Sequence, residues 1–285
     1  MKSLICINTY NSSNLVKTFI WDYIKFTNKN KNFDFILSLD GKDKNTITYC
    51  EKFNIPYIYS ESNEGVGISK NRVLKEFKEY SYYFFIEDDV KLINTDVFDI
   101  HIKLSKELNI HHFSLFEENR IINKKEITKH NNYNIISAMY GSAQVNFFTK
   151  FGIETVGGFH TEFAKYKRFG HTEHTYRFMN SGLSKYPFQI IQECLKGYFK
   201  WYNPPARTRL NVETSINNLF IGEENLISQK LEYFPIKTIS KYYIELKKDI
   251  TIDNNYKYRQ ILYSIKYTSI MLLKNIKIYL YKVIK

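Results

Sequence analysis

The chain has 285 residues with 44% hydrophobic and 17% aromatic side chains, which fits one large α/β domain, with or without a small appendage, and argues against disorder. Its three cysteines, Cys6, Cys50 and Cys194, are widely spaced, which argues against a disulfide framework or zinc ribbon and favours buried free thiols. The chain carries 41 Lys and Arg against 29 Asp and Glu, but residues 235–285 hold 11 of these bases and only 3 of these acids, so the body lacks the charge of a nucleic-acid-binding surface.

The first 90 residues alternate between strands and helices. Apolar runs predict strands at residues 4–7, 33–39, 55–59 and 82–86. Helical spacing predicts helices between them, at residues 15–26, 46–53 and 68–80. This alternation predicts a parallel sheet with helices on both faces, in which a ligand lies beyond the carboxyl ends of the strands. Polar loops occur at all four of those ends, at residues 8–11, 40–41, 64–70 and 87–89.

The second half has a less regular pattern. Helical spacing recurs at residues 97–108 and 172–181, and a strand is predicted at 112–116. Residues 135–139 and 144–148 are interpreted as a pair of strands around Gly141, and the Asn-Pro-Pro at 203–205 breaks regular structure. The N-terminus does not have the pattern of a signal peptide, and no segment reaches the roughly 18 apolar residues that span a bilayer. We therefore expect a cytoplasmic protein, either soluble or peripheral.

An acidic cluster, Glu87, Asp88 and Asp89, directly follows the apolar strand at residues 82–86. Adjacent carboxylates repel one another, and a divalent cation removes that cost. Mg²⁺ and Mn²⁺ prefer carboxylate oxygens and often complete their coordination with substrate phosphates. The cluster therefore predicts a metal-diphosphate site, with a solvated turn or a helix N-cap as the structural alternative.

Four motifs resemble those of family 2 glycosyltransferases with the GT-A fold. Residues 84–90, Phe-Phe-Ile-Glu-Asp-Asp-Val, look like the DxD-type element, although Glu stands at the first position. Residues 5–11 are similar to the opening strand and loop of that family, and residues 39–41 fall where it has an Asp-Gly turn. Residues 63–72 resemble its Gly-rich segment, with Lys70 where Arg is usual. The motifs occur in the family's order, and the resemblance extends over residues 1–185.

The resemblance implies a mostly parallel α/β sheet of the GT-A type, with a catalytic domain at residues 1–234. Its nucleotide-binding half would be residues 1–92, and its acceptor-binding half residues 93–234. It also implies a nucleotide-sugar donor, with a UDP-sugar as the first choice. The residues that would bind the nucleotide are Thr9, Tyr10, Asn11, Asp40, Lys70, Arg72 and Asp88. The residues that would bind a Mn²⁺ or Mg²⁺ ion are Asp89 and Glu87.

Residues 156–177 resemble the second conserved block of the family, in which a Gly-Gly-Phe loop precedes an acidic segment and an Arg. In inverting members the acidic segment carries the base that deprotonates the acceptor hydroxyl, and such a base must reach that proton. Glu173 is our first candidate for the base and His171 the second. His174 is a candidate metal ligand, with a hydrogen-bonded structural histidine as the alternative. Arg177 either binds phosphate or pairs with a carboxylate.

Residues 259–285 have helical spacing, with Ile and Leu side chains on one side and Lys and Arg on another. Together with residues 235–258 they form the predicted basic amphipathic tail. Such a tail favours contact with an anionic membrane surface, which fits a glycan or lipid-linked acceptor in bacterial surface polysaccharide synthesis. The alternatives are a helix packed on the catalytic domain and one packed on a homodimer partner.

Two other functions compete with glycosyl transfer. A nucleotidyltransferase also uses carboxylate-bound metal on an α/β sheet, but it usually needs a Gly-rich loop after the first strand, and residues 8–14 contain no glycine. A basic membrane-binding or nucleic-acid-binding module leaves the acidic cluster at residues 87–89 without a purpose. Glycosyl transfer therefore remains the interpretation that uses the most motifs.

Overall fold

The computed structural model describes residues 1–142, 144–166, 168–202, 222 and 224–284 of the chain, without the side chains of residues 274, 275 and 277–284. The break predicted at residues 203–205 lies outside the described residues. The three cysteines are free and buried.

A seven-stranded sheet forms the centre of the molecule, in the order β12-β3-β2-β1-β4-β9-β6. Five of its strands run in one direction, while β9 and β12 run antiparallel to their neighbours. The predicted α/β fold with a mixed, mostly parallel central sheet is therefore confirmed. The bounds of its strands are β1 Ser3–Thr9, β2 Phe33–Leu39, β3 Tyr57–Ser60, β4 Tyr82–Glu87, β6 His112–Leu115, β9 Val145–Thr149 and β12 Tyr242–Glu245.

Helices cover both faces of this sheet because its strands are apolar on both sides. In β1, Ile5 and Ile7 face a core shared with α1, α2 and α4, while Leu4 and Cys6 face a second core shared with α3, α5 and α6. The helices are α1 Ser13–Lys29, α2 Lys44–Phe53, α3 Val66–Glu76, α4 Asp96–Leu108, α5 Lys150–Val156, α6 Gly170–Asn180 and the C-terminal helix Tyr256–Ile284.

Two smaller sheets correct the interpretation of the second half. Strand β8, Tyr133–Tyr140, pairs with β7, Ile122–His130, and with β10, Phe188–Ile191, rather than with β9. Strand β7 was not predicted because it is an exposed edge strand rich in Lys, in which apolar and polar residues do not alternate. The other small sheet pairs β5, Val90–Leu92, with β11, Phe199–Trp201.

The segment that precedes the C-terminal helix also differs from prediction. The sequence predicts a helical tail over residues 235–285, but β12 lies within this range and forms an edge of the central sheet beside β3. Backbone contacts before β12 tie the same segment to the core, since Phe234 N donates to Val156 O and Gly158 N donates to Phe234 O. Strand β12 was not predicted because it has only four residues and lies in a segment with many basic side chains. The predicted helix itself is confirmed, and it begins at Tyr256.

Two buried histidines in the core affect stability. The ring of His101 lies against three phenylalanine rings and its Nδ1 is 2.7 Å from Val97 O, while His112 stacks on Phe148 at 4.7 Å. Burial lowers the pKa of each imidazole to about 4, although their backbone hydrogen bonds act in the opposite direction. Both histidines are therefore neutral in the folded protein at neutral pH.

We expect the free energy of unfolding to decrease as the pH falls from about 6.5 to about 4. The unfolded chain takes up protons at His101 and His112 before the folded chain does, at a cost of up to about 3 kcal/mol for each histidine. Urea unfolding at several pH values measures this slope. The variant His112→Phe keeps the ring stacking and should have a shallower slope, and an unchanged slope would contradict this assignment.

Candidate active site

A hydrogen bond joins two of the predicted motifs at the carboxyl edge of the sheet. The parallel register sets Asn8 of β1 opposite Glu87 of β4. In the loops that follow, Thr9 Oγ1 donates to Asp88 Oδ2 at 2.6 Å, and both side chains are buried. The opening loop and the acidic cluster are thereby brought together, as the motif order predicts. Asp89 is positioned by its own carbonyl oxygen, which accepts from Tyr202 N at 3.0 Å.

A first cavity, which we call the loop cavity, lies beyond the ends of β1, β2 and β3 and has a volume of about 220 Å³. Tyr10 and Asn11 line it together with Gly41 and Asn63. The loops there are tight: Gly41 has φ +107°, and a Cβ at this position would lie 3.2 Å from Asn63 N. Asn11 also has positive φ, at 50°. Two of the residues predicted to contact a nucleotide therefore line a cavity at the predicted edge.

Asp40 and Arg72 lie beneath this cavity and hold its wall in place. The two carboxylate oxygens of Asp40 accept from Glu64 N and Gly65 N, each at 2.8 Å. Arg72 Nη1 donates to Glu64 Oε2 at 2.7 Å, and Nη2 donates to Leu39 O at 3.1 Å. Arg72 is fully buried, so the structure uses it to brace the loop at residues 63–65. Arg72 and Lys70 are the two cations predicted to contact a diphosphate. Of these two, only Lys70 lines a cavity.

The second cavity, the central cavity, has a volume of about 350 Å³ and lies between α3, the end of β4 and the start of α6. Lys70, Glu87 and His171 line it. The ammonium of Lys70 lies 5.6 Å from the centroid of the Phe85 ring and 5.2 Å from that of Phe159. Burial lowers the pKa of Lys70 to about 8, partly opposed by the negative charge of Glu87. Lys70 therefore loses its proton more readily than an exposed lysine, and its ammonium faces the acidic cluster.

His171 begins the first turn of α6, and its Nε2 is buried without a hydrogen-bond partner among the described residues. A buried polar atom without a partner is unusual and often marks a place that a ligand completes. Burial lowers the pKa of His171 to about 3, and the positive charges of Lys70 and His112 act in the same direction. The imidazole is therefore neutral at neutral pH.

Glu173 faces a different direction, because residues two apart on a helix do not share a face. It is buried and forms an ion pair with Arg177, with 2.7 Å between Arg177 Nε and Glu173 Oε1. Burial raises the pKa of Glu173, whereas Arg177 lowers it. Arg177 also donates to Val156 O and Gly158 O, so the pair fastens the Gly-Gly loop. For Arg177 the structural alternative applies, and Glu173 is not among the residues that line the central cavity.

The predicted role of His174 as a metal ligand is corrected by its surroundings. Its Nε2 lies 3.0 Å from Gly157 O, and its ring stacks on Phe159 at 4.2 Å. Rings of Phe148 and Phe178 also contact it, at 5.1 and 5.5 Å. Since the ring is enclosed by aromatic side chains, His174 is a structural residue that joins α6 to the Gly-Gly loop.

The acidic cluster suits a hard cation. Within the part of the chain that the structure describes, no three His, Cys, Asp or Glu side chains are grouped to hold a metal ion. A Mg²⁺ or Mn²⁺ ion in a phosphate site needs only one or two protein carboxylates, because phosphate oxygens and water complete its coordination. Glu87, the last residue of β4, lines the central cavity, and Asp89 follows two residues later, so both offer carboxylate oxygens of this kind at the end of the strand.

The structure adds cavity residues that sequence reasoning missed. Ser142, Arg168 and Phe169 line the central cavity. They belong to loops without periodicity, and the one signal that could have indicated them is the positive charge of Arg168, two residues before Gly170. Tyr202 is fully buried and stacks on Phe19 at 4.8 Å, so it is part of the core.

Comparison with known proteins agrees with this geometry. Residues 4–97 match the family model described as glycosyl transferase family 2. These residues contain all four motifs: the opening strand and loop, the Asp-Gly turn, the Gly-rich segment with Lys70, and the acidic cluster. No curated protein matches this sequence.

Solved structures of TarS from S. aureus have a similar fold. The TarS 1–349 complex with UDP has a TM-score of 0.57 and 16% identity, over 81% of this chain and 65% of that one. The TarS 1–349 complex with UDP-GlcNAc has a TM-score of 0.55 and 15% identity, over 81% and 66%. A longer TarS structure has a TM-score of 0.54 and 14% identity, over 80% and 39%.

The chain thus spans about two thirds of the length of the shorter TarS structures, and less of the longer one. At these identities the likeness establishes the fold, while the family match rests on the first third of the chain. The recognition made from the four motifs is confirmed. Residues 4–97 thus resemble glycosyl transferase family 2, and the chain as a whole has a fold like that of the TarS structures, the GT-A fold.

Proposed function

We propose that this chain is a glycosyltransferase that moves a sugar from a nucleotide-sugar donor, most simply a UDP-sugar, to a hydroxyl of a glycan or lipid-linked glycan. The observation that carries the proposal is that both cavities lie at the carboxyl edge of the sheet, where Glu87 lines the central cavity and Thr9, which precedes the loop-cavity residues Tyr10 and Asn11, donates to Asp88. The similar TarS structures contain UDP and UDP-GlcNAc, which supports a UDP donor.

In this proposal the nucleoside occupies the loop cavity, where Tyr10 and Asn11 lie, and Asp40 shapes the wall through the amides of Glu64 and Gly65. The diphosphate lies toward the acidic cluster and Lys70. A Mn²⁺ or Mg²⁺ ion held by Glu87 and Asp89 would stabilise the charge that develops on the leaving diphosphate. Lys70 adds a positive charge in a water-poor site, where electrostatic interactions are stronger than in water.

The sugar and the acceptor hydroxyl then meet in the central cavity, beside His171. Its neutral imidazole has a nitrogen that makes no hydrogen bond with the described residues, and the acceptor hydroxyl would supply that bond. Once the negatively charged donor lies beside Lys70, it offsets part of the positive charge that lowers the pKa of His171, and the imidazole becomes a stronger base. His171 then accepts the hydroxyl proton as the oxygen attacks the sugar, and the bond to the diphosphate breaks on the opposite side, so the sugar configuration inverts. Glu173 supports the reaction indirectly, because it holds Arg177 and the Gly-Gly loop in place.

A place in bacterial surface polysaccharide synthesis, at the cytoplasmic side of the membrane, is part of the same proposal. The basic C-terminal segment and the lipid-linked acceptor class support it, since anionic lipids attract Lys and Arg.

A thermal-shift panel tests the donor and the metal together. UDP-sugars with Mn²⁺ should stabilise the protein by about 2.7 kcal/mol at a hundredfold excess over Kd. The isosteric variant Asp89→Asn should lose the metal-dependent part of the shift, whereas Asp99→Asn, at an exposed position on α4, should keep it. A wild-type shift that is the same with and without metal would refute the role of the acidic cluster.

Two variants of α6 separate the base from its structural neighbour. His171→Ala should lower kcat by about 10²- to 10⁴-fold while the UDP shift is kept, because a general base acts only on the chemical step. Glu173→Gln should lower the melting temperature, because it weakens a buried ion pair, and should retain far more activity. The measurement is steady-state transfer to a sugar acceptor. If Glu173→Gln is inactive yet stable and His171→Ala is active, the base is Glu173.

The affinity for UDP should decrease as the pH rises above about 8, because Lys70 then loses the proton that attracts the diphosphate. Below that pH the amine is charged and the affinity should be constant. Calorimetric titration of UDP with Mn²⁺ between pH 7 and pH 9.5 measures the trend. The variant Lys70→Met should bind more weakly and lack this alkaline decline, and an equal decline in the variant would assign the titration to another group.

A further inference from the structure

The C-terminal helix packs on the protein with one narrow face. Gln260 Nε2 donates to Thr18 O at 3.1 Å and to Asp22 Oδ2 at 2.7 Å. One and two turns further on, Tyr263 packs edge-on against Phe19 and Tyr267 against Tyr202, with ring centroids 5.2 and 5.0 Å apart. Positions 256, 260, 263 and 267 repeat at helical spacing and form a single stripe. The helix thus contacts α1 through Tyr and Gln rather than through its Ile and Leu side chains.

The opposite face of this helix is apolar and turned away from the protein. At 100° per residue its members are centred roughly half a turn from the packed stripe. Their exposed fractions lie between 46% and 66%, which is far from the values of core residues. They are Ile261, Leu262, Ile265, Leu272, Leu273 and Ile276. We call these six residues the outer face.

The charge of the helix is uniformly positive. Its sequence holds six Lys and Arg and no acidic residue, namely Lys257, Arg259, Lys266, Lys274, Lys277 and Lys282. Lys257 pairs with Asp22 and Arg259 with Asp253, so these two cations hold the base of the helix to the body. Lys266 is exposed, and positions 266 and 277 fall along one border of the outer face. An apolar stripe bordered by cations matches the surface of an anionic lipid layer.

The helix runs antiparallel to α1, toward the carboxyl edge of the sheet. Lys257 contacts Asp22 in the middle of α1, whereas Tyr263 and Tyr267 pack with Leu15 in its first turn. Since α1 begins at Ser13, residues 268–284 continue past its start, for ~25 Å at 1.5 Å per residue. Tyr263 also lines a cavity with Asn11 and Ser12 of the opening loop. The overhanging part of the helix therefore lies on the same side of the molecule as the candidate active site.

We propose that the outer face binds an anionic lipid surface and holds the carboxyl edge of the sheet beside it, so that the acceptor is a molecule anchored in that surface. No helix in the described part of the chain is long and apolar enough to cross a membrane, and the proposed contact is one that lies along the surface. A second copy of the chain is a poorer occupant, because pairing two such helices would bring like charges together. The nature of the acceptor rests on the proposed function, whereas lipid binding does not.

The test is co-sedimentation of the full chain with vesicles of phosphatidylglycerol and phosphatidylcholine, and with vesicles of phosphatidylcholine alone. The test variant is Ile265→Gln with Leu272→Gln, two outer-face residues that are each 60% exposed. The matched control is Ile122→Gln with Ile127→Gln, two β7 residues that are 60% and 58% exposed. Both double variants remove the same apolar chemistry from equally exposed sites.

The wild type and the control should bind the anionic vesicles, less at high salt, and the test variant should bind about tenfold more weakly or worse. Failure of the wild type to bind, or equal binding by both double variants, overturns the proposal. So does a wild-type dimer, seen by light scattering, that the test variant alone converts to monomer, because the outer face would then join two copies. The UDP thermal shift of the same proteins is independent of vesicles, so its loss would count against the proposed function alone.

Discussion

The parallel pairing of β1 with β4 is the constraint on which the candidate site depends. It sets Asn8 beside Glu87, and one residue further it allows the bond from Thr9 to Asp88. Without this register Thr9 would not reach Asp88, and the opening loop would not be tied to the acidic cluster, of which Glu87 lines the central cavity. A one-residue slip would reverse the face of every side chain in β1 and move its apolar residues out of both cores.

Two buried arginines give the edge its rigidity. Arg72 joins Glu64 to the end of β2, and Arg177 joins Glu173 to the Gly-Gly loop. Arg72 pairs with Glu64 and lies 3.8 Å from Asp40, Arg177 pairs with Glu173, and both donate to backbone carbonyl oxygens, which offsets the cost of burying their charges. The cavities are therefore bounded by loops that buried ion pairs hold in place, and Lys70, Glu87 and His171 line the central cavity.

The buried strands could be predicted because each is a run of apolar residues. Their polar ends could be predicted because carboxylates follow directly where those runs end. Strands β7 and β12 could not be predicted in this way, because an exposed edge strand contains no continuous run of apolar residues. Within the site, the roles of Glu173 and His171 depend on which side of α6 faces the cavity. A segment such as residues 170–177, with polar residues on all sides, does not reveal that direction. Arg72 looked like a phosphate ligand for the same reason, since its partners come from residues 39–64.

The pairing of β12 with β3 has a consequence for the order of folding. These strands are separated by more than 180 residues, and closing so long a loop is a slow, late step. The same segment also secures the candidate site, because Ser240 N donates to Glu64 Oε1 and Asn71 donates to Lys237 O. During synthesis the edge is therefore completed only after residue 245 has left the ribosome. The C-terminal helix emerges after the other described elements, so the outer face is added only when the strands and helices before it have left the ribosome.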